Sequence, residues 1–283
     1  MTDPRLTLEK RIEAEIKSYD GTMGIYIDDL KGNVITMHPD EPYETASTIK
    51  MFIMAALFDA IQKKKASLTD KLVYKKEHVI DGSGVLSSLE IGTELTVLNV
   101  TTLMIIVSDN IATNMMIEYL GLQEINACIK RLGCKDTILH NPIDFAKYEK
   151  LGTTTPRDYA SLFIRIAKEE LISPEASRQM LAICKQQHYN SMLTKSFPPY
   201  YIDPDNYEEE IIYVASKSGS MDECRNDGGI ISTPYGKYVI VLLNKDFSDR
   251  QYYPDHPATV FGARVSRMVL DQYLALEGRL CLP

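Results

Sequence analysis

The sequence has no run of about eighteen apolar residues, the length an α-helix needs to cross a bilayer. Its opening stretch MTDPRLTLEKRIEAEIK alternates acidic and basic residues and lacks the apolar centre of a signal peptide. No membrane partner is therefore expected. Positive charge is in short supply: 31 Lys and Arg stand against 39 Asp and Glu, a net charge of −8. Nucleic-acid binding needs clustered positive charge, so a small-molecule or peptide substrate is expected and no nucleic acid. Ligand patterns for metals are missing as well. The five cysteines (Cys128, Cys134, Cys184, Cys224, Cys281) form no CxxC pair, and His38, His78, His140, His188 and His256 are scattered. The thiols are read as reduced, and neither a zinc site, another metal nor a cofactor is expected.

What the sequence does hold is an ordinary globular composition, with 45% hydrophobic and 25% charged residues over 283 positions. That length is enough for a core that needs no staples. Apolar residues at helical spacing predict a helix over residues 4 to 18, and two short β-rich runs, Met23 to Ile27 and Asn33 to Met37, predict a hairpin. The stretch from Ser47 to Ile61 is apolar on nearly every side and reads as a buried helix. Helices are predicted over 98 to 120, 122 to 132 and Pro156 to Glu170, the last with Thr155 as N-cap and Pro156 at its first position. Strands follow at Ile211 to Lys217, Gly229 to Thr233 and Tyr238 to Asn244, then a helix from Pro257 to Leu276. Strands near both ends of the chain around a helical block predict an α/β (α+β) fold with one antiparallel sheet, flanking helices and an all-helical lobe. One unit spanning 1–283 is expected, with a sheet lobe at about 1–45 and 205–283 and a helical lobe at about 46–204.

Three short motifs carry chemistry. Ser47-Thr48-Ile49-Lys50 has the form SxxK at the head of the buried helix. A spacing of three puts hydroxyl and amine on one face, and a lysine whose pKa is lowered by burial can take the proton of a serine nucleophile. Ser108-Asp109-Asn110 follows an apolar run and offers a hydroxyl, a carboxylate and an amide for proton relay and substrate binding. Lys217-Ser218-Gly219 ends a strand, where glycine admits a substrate backbone. Each has a plainer reading: Ser47 as an N-cap beside a solvated Lys50, SDN as a capping turn, KSG as an unremarkable strand end.

The ordered set SxxK, SDN, KSG resembles class A β-lactamases and penicillin-binding proteins. The text around it is also similar to class A β-lactamases: ETASTIKMFIMAAL, DGSGVL, IGTELTV, TTLMIIVSDNIATNMMI, LGTTTPRDYA and GGIISTPYGKYVIVLLN, spanning roughly residues 22 to 275. The resemblance implies that Ser47 attacks a carbonyl to form an acyl-enzyme with Lys50 as its base, and that Ser108 passes a proton to the leaving nitrogen. It implies that Asn110 holds a substrate amide, that Lys217 with Ser218 binds the substrate carboxylate beside the substrate-binding Gly219, and that the N–H groups of Ser47 and Ser220 form the oxyanion hole. Asp109 reads as an anchor for its turn.

Two departures stand out. The loop LGCKDTILHNPIDFAKYEKLGTTTP has no ExxLN, the pattern that carries the deacylating glutamate in class A enzymes. Aligned from Leu132-Gly133, that position falls at Ile143, which leaves Asp144 and Glu149 as candidate bases; the plainer reading makes both solvated loop charges. Before GII the family often has an arginine, where this chain has Gly228. Arg225 is the nearby substitute, or else a surface arginine paired with Asp222 or Asp227. The expected function is β-lactam amide hydrolysis through Ser47 with slow deacylation. The alternatives are a D-alanyl-D-alanine peptidase or small ester or amide hydrolase of the same fold, and a penicillin-binding sensor module. A monomer acting on a β-lactam or D-alanyl peptide is expected, extracytoplasmic if a leader has been removed and otherwise cytoplasmic.

Overall fold

The computed structural model describes residues 4–202, 211–275, 278 and 280. In chain order the elements are α1 (Pro4–Ile16), β1 (Thr22–Asp28), β2 (Val34–Met37), β3 (Tyr43–Glu44), α2 (Ile49–Gln62), β4 (Lys71–Val73) and β5 (Glu94–Thr96). Next come α3 (Val97–Ile106), α4 (Asn110–Leu120), α5 (Leu122–Arg131), β6 (Ile138–Leu139), β7 (Gly152–Thr154), α6 (Pro156–Ala167) and α7 (Pro174–Cys184). After them lie α8 (Pro199–Ile202), β8 (Tyr213–Ser216), β9 (Gly219–Met221), β10 (Cys224–Thr233), β11 (Gly236–Lys245) and α9 (Pro257–Ala275). Among the described residues no helix is long and apolar enough to cross a membrane.

The main sheet runs β2-β1-β11-β10-β8, with β9 also paired to β10, and every pair is antiparallel. The hairpin near the start thus joins strands from the end of the chain, as the order of elements predicts. Side chains alternate across β11: Val239, Val241 and Leu243 enter a core shared with α2, α4 and α6, while Tyr238, Ile240 and Leu242 enter a second core under α1 and α9. This two-sided burial is why β10 and β11 read as nearly continuous runs rather than alternating ones.

Helix α2 is as buried as its sequence predicts, Ile49 through Phe58 being buried without a break. A 3-10 turn, Ala46–Thr48, leads into it and contains Ser47. Thr155 caps α6 through Asp158 N–H, with Pro156 in the first turn, as read from the sequence. The helix predicted over 98 to 120 is instead two, α3 and α4, broken at Val107–Asp109. Ser108 takes a left-handed φ of 51°, which an α-helix cannot continue, and Asp109 restarts the chain as N-cap of α4, accepting Ala112 N–H at 2.9 Å. Prediction missed the short strands β3 to β7, the helices α7, begun by Ser173 as cap and Pro174, and α8, and the strand β9, which starts at Gly219 of the KSG motif. Cys128, Cys134, Cys184 and Cys224 are free buried thiols; Cys281 and Leu276, the predicted end of the last helix, lie outside the described residues.

Candidate active site

The three motifs meet where the N-terminal end of α2, the α3–α4 break and the β8–β9 junction come together. Lys50 is fully buried, its Nζ lying 2.8 Å from the Ser108 carbonyl oxygen, 2.8 Å from Asn110 Oδ1 and 3.1 Å from Ser108 Oγ. Lys217, also fully buried, approaches the same hydroxyl from the sheet, its Nζ 3.1 Å from Ser108 Oγ and 2.6 Å from the Ser218 carbonyl oxygen. One serine hydroxyl therefore sits between two amines that are 167 positions apart in sequence (217 − 50). Burial first, then the neighbouring charge of Lys217, holds the pKa of Lys50 well below that of an ordinary lysine, against the opposing pull of Asp109. Burial lowers Lys217 to about 7, with Asp227 and Cys184 acting the other way.

Lys50 Nζ donates to the carbonyl and amide oxygens at 2.8 Å and to the Ser108 hydroxyl at 3.1 Å; its lowered pKa favours the neutral amine, whose lone pair can accept from that hydroxyl instead. A protonated Lys217 donates to that same oxygen. Lys217, Ser108 and Lys50 are thus linked by two hydrogen bonds through one hydroxyl.

Asp109 is an anchor, as the sequence suggests. Its Oδ2 accepts Val85 N–H at 2.6 Å and Leu86 N–H at 2.8 Å, while Asn110 N–H reaches the Ser83 carbonyl oxygen at 3.0 Å. Ser83 Oγ donates to the Ser108 carbonyl oxygen at 2.7 Å, and Asn110 Nδ2 to the Asp81 carbonyl oxygen at 3.1 Å. The segment DGSGVL is therefore laced onto the SDN turn, and Gly84 belongs there because a Cβ on it would meet the Asp109 carboxylate at 2.3 Å.

Gly219 plays the matching part on the sheet side. A Cβ there would lie 2.7 Å from the backbone nitrogens of both Ser47 and Thr48. Only glycine allows β9 to come so close to the Ser47 turn, which brings Ser220, the next residue of β9, to its edge. Ser47 itself is half-buried, and its hydroxyl has no hydrogen-bond partner among the described residues. Lys217 is set by its backbone: its N–H donates to the Gly228 carbonyl oxygen at 3.0 Å, and the Tyr159 hydroxyl to its carbonyl oxygen at 2.5 Å.

The loop that replaces ExxLN supplies no carboxylate to this cluster. Ile143 is 4% exposed, and Asn114 of α4 clamps its backbone twice, Nδ2 donating to its carbonyl oxygen and Oδ1 accepting its N–H, each at 2.9 Å. Asp144 instead pairs with Lys147 at 2.8 Å, which holds its carboxyl below the usual range, and Glu149 is exposed. Neither bonds to Ser47, Lys50 or Ser108 among the described residues. Phe145 reaches across to the other wall, 3.7 Å from where a Cβ of Gly82 would stand.

Arg225 is neither a carboxylate ligand nor a surface residue paired with Asp222 or Asp227. It is 4% exposed. Its terminal nitrogens donate to the carbonyl oxygens of Met221, Cys224, Arg250 and Gln251, and Tyr252 covers it at 4.2 Å. Its donors are spent on tying the β9–β10 turn to the 250–251 loop. Motif reading missed Tyr159, Asn114, Asn226 and Glu44, because they act on backbone groups of distant segments and leave no pattern along the chain.

A family model described as the β-lactamase enzyme family matches residues 7–273. A solved β-lactamase from Sphaerobacter thermophilus superimposes with a TM-score of 0.82 at 30% identity, over 95% of this chain and 97% of that one. A mutant of PBP-A, solved as an acyl-enzyme complex with penicillin G, gives a TM-score of 0.82 at 28% identity, over 96% and 97%. Among curated proteins, β-lactamase L2 of Stenotrophomonas maltophilia is 27% identical over 64% of this chain, a match that spans only 61% of that relative's length.

Proposed function

Because the chain belongs to the β-lactamase enzyme family, we propose that it is a serine hydrolase that opens β-lactam amides through an acyl-enzyme on Ser47 and releases the product slowly. The observation that carries this reading is the Ser108 hydroxyl held 3.1 Å from each of two buried lysine amines. Ser47 Oγ attacks the lactam carbonyl carbon while its proton passes to the neutral amine of Lys50. Negative charge on the former carbonyl oxygen is met by the N–H groups of Ser47 and Ser220. As the C–N bond breaks, the leaving nitrogen takes the Ser108 proton, and Lys50 returns the proton it holds to Ser108. Asn110 orients the substrate's amide, and Lys217, Ser218 and Gly219 receive its carboxylate. The whole chain works as one catalytic unit, with the helical lobe carrying the nucleophile and the sheet lobe the carboxylate site.

Slow release is supported by the loop without ExxLN, in which the position aligned from Leu132-Gly133 is the buried, apolar Ile143 and neither Asp144 nor Glu149 bonds to Ser47, Lys50 or Ser108 among the described residues. The same arrangement suits the second reading, a D-alanyl-D-alanine peptidase. Nitrocefin turnover followed together with intact mass tests both. A persistent adduct that disappears in Ser47→Ala is the expected result. Rapid multiple turnover refutes slow release, release of D-alanine from a D-alanyl-D-alanine peptide at a higher kcat/KM favours the peptidase, and no adduct with any β-lactam ends the acylation mechanism.

A further inference from the structure

Three residues before Ser47, the Glu44 carboxylate serves two segments at once. Its Oε1 accepts Ala46 N–H at 3.1 Å, Leu151 N–H at 3.1 Å and Gly152 N–H at 3.2 Å. Oε2 is buried with no partner among the described residues. The Glu44 backbone is fixed as well: Asn226 Nδ2 donates to its carbonyl oxygen at 2.7 Å, and β3 pairs with β7, Glu44 opposite Thr153. What this carboxylate grips is unusual. Ala46 has φ 44°, the left-handed conformation that strains a residue with a Cβ. Ala46 is also 1% exposed, and the residue after it is Ser47.

We infer that Glu44 is a positioning residue for acylation: by accepting Ala46 N–H it holds the left-handed turn that aims the Ser47 hydroxyl and N–H at the substrate carbonyl. The inference rests on the Ser47 acyl-enzyme proposed above. The peptide nitrogens of Ser47 and Thr48 are packed against Gly219, so a relaxed Ala46 would carry Ser47 away from β9 and from Ser220. A shift of about 1 Å at a reacting group can cost on the order of 10²-fold in rate. Substrate affinity should change little, because Asn110, Lys217 and Ser218 are held by other partners.

The test is a two-by-two comparison of Glu44→Ala with and without Ala46→Gly, reading the acylation rate constant and the substrate dissociation constant with benzylpenicillin by stopped flow and intact mass. Glu44→Ala is expected to slow acylation roughly tenfold to a hundredfold with the dissociation constant within about threefold. In the Ala46→Gly background the same substitution should cost about threefold or less, since glycine takes positive φ without strain. A loss of the same size in both backgrounds means Glu44 acts only through the 151–152 segment and overturns the inference, as does acylation at the wild-type rate. If Glu44→Ala does not fold, Glu44→Gln is measured in the same two backgrounds, with a smaller loss that Ala46→Gly again removes; no loss overturns it. Wild-type protein that forms no Ser47 adduct refutes the acylation mechanism itself, and the inference with it.

Discussion

Lys217 loses its proton near neutrality, because full burial outweighs the pull of Asp227 and brings its pKa to about 7. A substrate carboxylate needs the charged form. We therefore expect KM for a carboxylate-bearing β-lactam to rise as pH climbs from about 6 to about 9. Lys217→Gln should have a high KM without that pH dependence; a wild-type KM that is flat over the range contradicts the assignment. Asp227, raised to about 7 by burial, is the charge that keeps Lys217 protonated as high as it is. Asp227→Asn should move the rise in KM to lower pH. The consequence for stability has the opposite sense. Between about pH 7 and about pH 10.4 the unfolded chain carries a proton on Lys217 that the folded chain lacks, so this residue makes stability increase with pH across that window.

Two elements decide how the site is shaped and what it lacks. The α3–α4 break exists because Asp109 spends one oxygen on Ala112 N–H and the other on Val85 and Leu86 N–H. Asp109→Ala should lower stability by about 2 kcal/mol or more, from one lost cap and from the buried Leu86 N–H and part-buried Val85 N–H left unpaired, and should slow acylation by freeing Ser108. Urea unfolding and single-turnover acylation measure the two effects. The second element is the loop after β6, clamped at Ile143 by Asn114. Ile143→Glu should shorten the life of the Ser47 adduct, at some cost in stability from a buried carboxylate. Asp144→Asn and Glu149→Gln should leave it unchanged; deacylation that slows in either would identify the base we assign to neither. Periodicity read α3 and α4 as one helix because their apolar spacing carries across the break. The left-handed Ser108 is imposed by Ser83 and the 81–86 segment, which no local pattern shows.

Among the described residues the main sheet separates two cores, and the one shared with α2, α4 and α6 lies under the site. Leu242 and Leu243 are adjacent in β11, both fully buried, and point into opposite cores. Leu242→Ala and Leu243→Ala should each cost about 2–5 kcal/mol in urea unfolding. Leu242→Ala, on the α1 and α9 side, should leave the acylation rate of the folded protein unchanged; a large loss there would mean the far core is coupled to the site. The antiparallel sheet, the buried α2 and the capped α6 were legible in the sequence because they rest on alternation, an all-round apolar surface and a Thr-Pro start, all properties of neighbouring residues.

The sequence by itself determined which side chains are available for chemistry, Ser47, Lys50, Ser108, Asn110 and Lys217, and that no carboxylate stands at the position of Ile143. Tertiary structure decided what those groups are. The pKa values of Lys50 and Lys217 are both lowered because segments far apart in the chain bury the two amines around one hydroxyl. Arg225 is tied to the β9–β10 turn and the 250–251 loop, and Glu44 is drawn to the turn before Ser47, by bonds to backbone groups that every residue possesses. Spacing and propensity are local, whereas desolvation and hydrogen-bond partners are fixed only when distant segments share one interior.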